Sequence, residues 1–210
     1  MRAVIDVGAT ERDSLHQSGS RVVLSICGPA GAGKSHLAKA LCALLGPERC
    51  TRVPTDYFAL PATEPPETFF TKPLRYDWSF LTRALALPEG SVTSTPDFDF
   101  GRFQRIADTG GRPFTIRRIM VLDAMEPYPS SDATILLSVP EHVRRDRVVA
   151  RDEVWKTRVR DRFHHLDATW AHAQTHMPPC DLELDGTEPL DANAERLANW
   201  MVDRFPVLRA

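Results

Sequence analysis

The amino-acid sequence predicts an α/β fold, in which helices cover both faces of a parallel five-stranded sheet. Two observations carry this prediction. Short apolar runs alternate with longer charged or amphipathic segments, and a glycine-rich turn joins the first apolar run to the first helical segment. Apolar runs that lack polar alternation are typical of strands buried on both faces. Ligands of such sheets bind beyond the carboxyl ends of the strands, so we expect the functional residues at that edge.

The elements follow from periodicity, apolar runs and turn residues. In chain order we predict a flexible lead-in over 1–20, a strand over 22–27, a helix over 33–45, a strand over 51–54, a loop over 60–73, a helix over 80–87, a strand over 91–94, a hairpin over 103–119 turning at Gly110-Gly111, buried strands over 119–122 and 133–139, charged helices over 141–175, a strand over 181–184 and a helix over 189–203. Together they predict one domain over 21–210, with a lid around 144–165.

Composition narrows the possible partners. Lys and Arg number 26 against 28 Asp and Glu, so the formal net charge of -2 offers no general attraction for nucleic acid or anionic membranes. We therefore expect a small-molecule ligand, while an oligomer remains possible. The four cysteines form no C-x-x-C pair, which fits a reduced cytosol, and no apolar run reaches the roughly 18 residues of a membrane span. We expect a soluble cytoplasmic protein.

The segment between the first strand and the first helix matches the phosphate-binding pattern G-x-x-x-x-G-K-[ST]. Glycines let the backbone amides curl around an anion, and the helix adds its positive N-terminus. The lysine should reach the outer phosphates, and the serine hydroxyl suits Mg²⁺. The alternative is a simple glycine turn with a solvated lysine. The residues of the pattern are Gly28, Pro29, Ala30, Gly31, Ala32, Gly33, Lys34 and Ser35.

Two carboxylates follow predicted strands. Asp56 comes after the second strand, where it could accept the proton of an attacking hydroxyl or hold a metal through water. Asp123 ends a buried strand, which is typical of a carboxylate in a metal site, and Glu126 is a nearby substitute. The alternatives are a helix or turn cap for Asp56 and a solvated strand end for Asp123.

Three arginines, Arg144, Arg147 and Arg151, are spaced along one face of a predicted helix. Their forked guanidinium groups suit the oxygens of a triphosphate. The alternative is an exposed helix with ion pairs to the acidic residues between them. Gly186 follows the last strand at a rim where a purine could lie, although Asp-Gly is above all a turn signal.

Taken together, these residues resemble the uridine kinase and phosphoribulokinase family of small-molecule kinases, over nearly all of 21–203. The resemblance implies the fold of P-loop NTPases. It also makes Asp56, in the segment Asp56-Tyr57-Phe58, the catalytic base. It assigns Asp77 to sugar hydroxyls, and it aligns the segment 96–105 with a family segment that meets the pyrimidine base. The lid motif is represented by Arg147 and Arg151.

The chain departs from the family at the acceptor. Phe98 and Phe103 replace a tyrosine and a histidine that meet the base, so hydrogen bonds to uridine or cytidine are lost. The arginines after the lid aspartate are missing too, and Lys156 and Arg158 are possible substitutes. The structural alternatives are that Asp77 caps a helix and that the phenylalanines belong to the core.

The sequence thus predicts an ATP- and Mg²⁺-dependent kinase that phosphorylates a hydroxyl of a nucleoside, sugar or related metabolite. The alternatives are a switch NTPase without an acceptor and an antibiotic-modifying phosphotransferase. The predicted catalytic residues are Asp56, Lys34, Arg147 and Arg151. Predicted nucleotide contacts are Gly28 to Ser35, His36, Arg144 and Gly186. Predicted acceptor contacts are Tyr57, Phe58, Asp77, Phe98, Phe103 and Arg105, and the predicted metal ligands are Ser35 and Asp123.

Overall fold

The structure is a computed structural model that describes residues 21–64, 68, 72–100, 102–154 and 162–209. The predicted lead-in over 1–20 lies outside the described residues. Residues 65–67 and 69–71 of the predicted proline-rich loop lie outside them too. So does the segment 155–161 of the predicted lid, which contains Lys156 and Arg158.

A parallel five-stranded sheet forms the centre of the fold, as predicted. The strands are β1 (Val22–Cys27), β2 (Cys50–Val53), β7 (Ile119–Asp123), β8 (Ala133–Ser138) and β9 (Leu182–Asp185). They lie side by side in the order β2-β7-β1-β8-β9, which the sequence did not predict. The central strand, β1, consists of apolar residues and one serine, and all six are buried because helices cover both faces. All five strands run in one direction, so their carboxyl ends meet at one edge.

Five helices and two short 3₁₀ segments complete the fold among the described residues. The helices are α1 (Lys34–Leu45), α2 (Trp78–Leu85), α3 (Glu141–Val154), α4 (Arg162–His176) and α5 (Leu190–Arg204); the 3₁₀ segments are Thr55–Phe58 and Pro206–Arg209. Among the residues that the structure describes, no helix combines the length and apolar character needed to span a membrane.

The two faces of the sheet carry different helices. On one face, Leu37 and Leu41 of α1 pack with Leu197 of α5 in the main core. These positions recur at helical spacing, so each helix buries one stripe. On the other face, Leu81 of α2 and Phe58 of the first 3₁₀ segment form a second cluster. The layered arrangement expected of an α/β domain is thereby confirmed.

The hairpin predicted over 103–119 is wrong. Two antiparallel pairs are nested instead: β3 (Val92–Ser94) pairs with β6 (Pro113–Thr115), and between them β4 (Asp97–Asp99) pairs with β5 (Gln104–Ala107). The prediction treated Gly110-Gly111 as the reversal of one hairpin. The two strands that flank this turn, β5 and β6, instead pair with the earlier strands β4 and β3. A strong local turn signal therefore did not reveal which strands it joins.

Candidate functional site

The phosphate-binding loop connects β1 to α1 and packs tightly against its neighbours. Gly31 has a φ of 84°, and a Cβ atom built on it would lie 2.2 Å from the carbonyl oxygen of Arg144. A Cβ on Gly28 would lie 2.4 Å from the carbonyl oxygen of Leu137. Side chains at these positions would clash with backbone atoms, so the glycines are needed for the loop to close against β8 and α3.

Lys34, the first residue of α1, folds back over this loop. Its Nζ donates to the carbonyl oxygens of Gly28 at 2.8 Å and Pro29 at 2.9 Å. The side chain is half-buried, and burial lowers the pKa of its ammonium group, while the charges of Asp56 and Asp123 act in the opposite direction. A bound polyphosphate would offer this ammonium stronger, charged acceptors than the two carbonyls.

Ser35 and Asp123, the two predicted metal ligands, are in contact. The Ser35 hydroxyl donates to Asp123 Oδ2, and Asp123 is only 4% exposed. Arg52 of β2 holds the same carboxylate in a bidentate pair, with Nε 2.9 Å from Oδ1 and Nη2 2.8 Å from Oδ2. This bidentate pairing gives the buried carboxylate a charged partner and fixes its orientation.

Arg52 was missed by the sequence reasoning. The available signal was an arginine inside a short strand of a sheet that helices cover, where an unpaired charge would be costly. β2 lies beside β7 in register, and Arg52 is the Cα partner of Val121, two residues before Asp123. Strand order, which local patterns do not give, brings the two side chains together.

The donor set suits Mg²⁺ in one specific way. A hydroxyl and a carboxylate oxygen are hard ligands of the kind Mg²⁺ prefers, but Mg²⁺ commonly completes its shell with water and substrate phosphate. The described part of the chain has no group of three His, Cys, Asp or Glu side chains that could hold a metal alone. Ser35 and Asp123 therefore fit a cation that arrives with a phosphate ligand.

Asp56 lies in the 3₁₀ segment that follows β2, at the same edge of the sheet. The residue as a whole is exposed to solvent. Desolvation raises the pKa of its carboxyl, and the negative charge of Asp123 adds to the effect, while Lys34, Arg52 and Arg151 oppose it. The charges of Lys34 and Asp123 therefore both act on Asp56, the predicted base.

The three arginines of α3 do not share one role. Arg147 donates to the carbonyl oxygen of Gly186 at 3.0 Å and reaches that of Ala32 at 3.4 Å, so it connects the phosphate loop to the turn after β9. Arg151 pairs with Asp152 at 3.1 Å and acts electrostatically on Lys34.

Arg144 is buried and pairs with Asp167 of α4 at 2.8 Å, while its backbone supports Gly31. Its guanidinium group therefore points to α4, and direct contact with nucleotide stays a prediction. His36, also predicted to meet the nucleotide, is exposed on α1.

Asp77 and Arg105 form an ion pair at 3.1 Å that joins the start of α2 to β5. Asp77 Oδ1 also accepts from the backbone N–H of Phe80 at 3.0 Å and from the Ser79 hydroxyl at 2.9 Å. Burial would raise the pKa of the Asp77 carboxyl, but these hydrogen bonds outweigh it and the pKa is lowered. Helix capping, the structural alternative, is therefore present alongside the contact with Arg105.

The predicted acceptor aromatics are largely enclosed. Phe98 and Phe103 are buried with Tyr76 and Ala124 in one cluster, with the two phenyl rings 5.1 Å apart and nearly perpendicular. Phe103 has a φ of 52°, which is rare for an aromatic residue. Ala124, a member of this cluster, directly follows Asp123 in the chain.

The remaining predicted acceptor residues differ in exposure. Phe58 is fully buried in the core beneath the sheet, so it supports the site without facing it. The hydroxyl of the half-buried Tyr57 accepts from Arg112 Nε at 2.9 Å. Glu126, the substitute metal ligand, has its pKa raised chiefly by burial, against the opposing effects of His172 and a hydrogen bond from Trp78.

Comparison with known proteins adds little detail. No protein-family model matches the chain, and neither does any curated protein. Among solved structures, an unliganded sugar kinase from Janibacter sp. HTCC2649 is similar, with 16% identity and a TM-score of 0.45 over 90% of this chain and 98% of that one. A gluconokinase from Sinorhizobium meliloti 1021 has 14% identity and a TM-score of 0.43 over 89% and 98%. The resemblance to the uridine kinase and phosphoribulokinase family stays a prediction.

Proposed function

We propose that this chain is an ATP- and Mg²⁺-dependent kinase that transfers a phosphoryl group to a hydroxyl of a small metabolite. One observation carries the proposal: Lys34 of the phosphate-binding loop, the hydrogen-bonded Ser35–Asp123 pair and Asp56 after β2 all lie at the carboxyl edge of the parallel sheet. Phosphoryl transfer needs an anion clamp, a metal ligand and a base for the acceptor, and these residues supply one candidate for each.

On the phosphate side, the amides of the loop and the N-terminus of α1 bind the phosphate oxygens. Lys34 exchanges its two carbonyl partners for the outer phosphates. Ser35 and Asp123 would hold Mg²⁺, which when bound neutralises charge on the phosphate oxygens. Arg52 holds both oxygens of Asp123 and so keeps the carboxylate aimed at Ser35.

On the acceptor side, Asp56 accepts the proton of the attacking hydroxyl. A pKa raised above that of an ordinary aspartate makes Asp56 a stronger base, while the positive charges of Lys34, Arg52 and Arg151 favour its ionised form. Arg147, which already spans the phosphate loop and Gly186, would steady the nucleotide between them.

The acceptor is proposed to be a nucleoside, a sugar or a related metabolite other than uridine or cytidine. Phe98 and Phe103 offer no hydrogen bonds to a pyrimidine edge, and both are buried among aromatic neighbours. Both oxygens of Asp77 already accept hydrogen bonds. Asp77 and Arg105 therefore act by positioning the wall that the β4–β5 pair contributes.

The test is ADP formation by the purified full chain with Mg²⁺-ATP and a panel of nucleosides, sugars and aminoglycoside-type antibiotics, with phosphorylated products identified by mass spectrometry. We expect ADP formation that depends on one acceptor class. Hydrolysis of ATP that no acceptor stimulates would favour a switch NTPase, and a phosphorylated antibiotic would favour a resistance enzyme. Failure of the folded protein to bind ATP in calorimetry would refute the proposal.

A further inference from the structure

Two cysteines outside the candidate site lie against each other. The Sγ atoms of Cys42 and Cys50 are 2.8 Å apart, closer than unbonded sulfur atoms normally come. Cys42 is on α1 and Cys50 is the first residue of β2, so the contact joins two elements across the turn at Gly46. Both are free thiols.

The two thiols differ in accessibility. Cys42 is half-buried, whereas Cys50 is only 2% exposed, so Cys42 is the less enclosed of the two. The hydrogen bond with Cys42 and burial both raise the pKa of the Cys50 thiol, so Cys50 stays protonated. We therefore expect Cys42 to meet a small oxidant first, with the Cys50 thiol already in contact.

We propose that Cys42 and Cys50 are an oxidative modification site, at which a hydroperoxide converts the thiol pair into an intramolecular disulfide. In the first step Cys42 attacks the peroxide, becoming a sulfenic acid and releasing water or an alcohol. In the second step the Cys50 sulfur displaces the hydroxyl group from Cys42, and the Cys50 proton leaves with it as water. Two thiols are oxidised and one peroxide is reduced.

The disulfide connects elements that lead to the candidate site, since α1 begins with Lys34 and Ser35 and β2 leads to Asp56. Closing this short loop restricts the unfolded chain, so the oxidised protein should melt at a higher temperature than the reduced one, by on the order of 5 °C. The inference does not depend on the proposed kinase activity, because neither readout below involves turnover.

The test begins with the reduced full chain, treated with hydrogen peroxide, alkylated and digested with trypsin. Cleavage after Lys39, Arg49 and Arg52 separates the two cysteines into the peptides 40–49 and 50–52. We expect these two peptides to be recovered as one linked species, two hydrogen atoms lighter than their sum, which dithiothreitol separates. Recovery of Cys42 as an alkylated thiol, as a sulfinic acid or linked to another cysteine would overturn the proposal.

Three variants complete the test. Cys180→Ser, which removes the other half-buried cysteine, should keep both the linked peptides and the rise in melting temperature. Cys42→Ser, at a half-buried position, and Cys50→Ser should each lose both. If peroxide raises the melting temperature of Cys42→Ser as much as that of the unaltered chain, or if the linked chain melts no higher than the reduced one, the proposed disulfide does not act as described.

Discussion

The phosphate side and the acceptor side of the proposed site are built in different ways. On the phosphate side, a contiguous loop, Lys34 and Ser35 meet Asp123 at the carboxyl ends of adjacent parallel strands. On the acceptor side, Asp77 and Arg105 pair across 28 residues, and Phe98 packs on Phe103 through a nested antiparallel pair. The first side depends on the central sheet, whereas the second depends on peripheral strands and a helix cap.

This difference predicts how the two sides respond to change. Lys34 on the phosphate side and Asp56 on the acceptor side act on the reacting groups, so their substitution should lower turnover without much effect on folding. Arg52, which holds Asp123, and the Asp77–Arg105 pair in the acceptor wall act through side-chain pairing, so their substitution should affect stability more than the chemical step. The following predictions test this contrast in order of decreasing effect.

Lys34→Ala should have the largest effect. Loss of the ammonium group that the site provides for the outer phosphates should lower turnover on the order of a thousandfold, because the charge of Lys34 is aimed at the transferred group. The protein should keep its circular dichroism and melting profile. Lys39→Ala, an exposed lysine on the same helix, is the matched control and should retain full activity in the ADP assay. Near-normal turnover in Lys34→Ala would show that Lys34 does not act on the transferred phosphoryl group.

Asp56→Asn should lower turnover about a hundredfold while ATP affinity is kept, because only the proton acceptor is lost. The pKa of Asp56 is raised by desolvation and by Asp123, so the unaltered enzyme should lose activity on acidification at a higher pH than an ordinary aspartate would impose. The measurement is a pH profile of kcat alongside ATP binding by calorimetry. Asp203→Asn, an exposed aspartate, should leave both unchanged.

Arg52→Ala should lower the stability of the fold. The buried Asp123 loses its bidentate partner, so the free energy of unfolding should fall by about 2 kcal/mol, less than for a fully buried pair, because 24% of the Arg52 side chain is exposed. Urea denaturation measures the loss. Arg52→Lys, which keeps the charge but not the fork, should recover part of it. An unchanged midpoint in Arg52→Ala would show that Asp123 does not need this partner.

Asp77→Asn should give the smallest effect, a loss of about 1 kcal/mol, because asparagine can still cap α2 but cannot pair with Arg105. The pKa of Asp77 is lowered on folding, so its ionic contribution is present above the ordinary pKa of aspartate and disappears as the pH falls through the lower value. Denaturation at neutral and strongly acid pH, with Arg105→Gln and the double variant, measures this coupling. A difference from the unaltered chain that persists in acid would contradict the assignment.

Local patterns predicted most of the central fold because they depend on nearby residues. The buried strand β1, the glycine-rich turn and α1 are each specified within a few residues, and Gly46 ends the helix where predicted. The hairpin over 103–119 failed for the complementary reason. Its turn residues indicated a reversal of the chain, but strand pairing is chosen by distant partners.

The sequence by itself therefore determined the α/β architecture, the phosphate-binding loop and the placing of acidic residues at strand ends, since periodicity and backbone sterics act locally. Only the tertiary structure decided that Arg52 holds Asp123, that Arg144 faces Asp167, and that Cys42 touches Cys50. The physical reason is that these contacts join residues on different elements. Their free energy depends on strand order and packing, which no single stretch of sequence encodes.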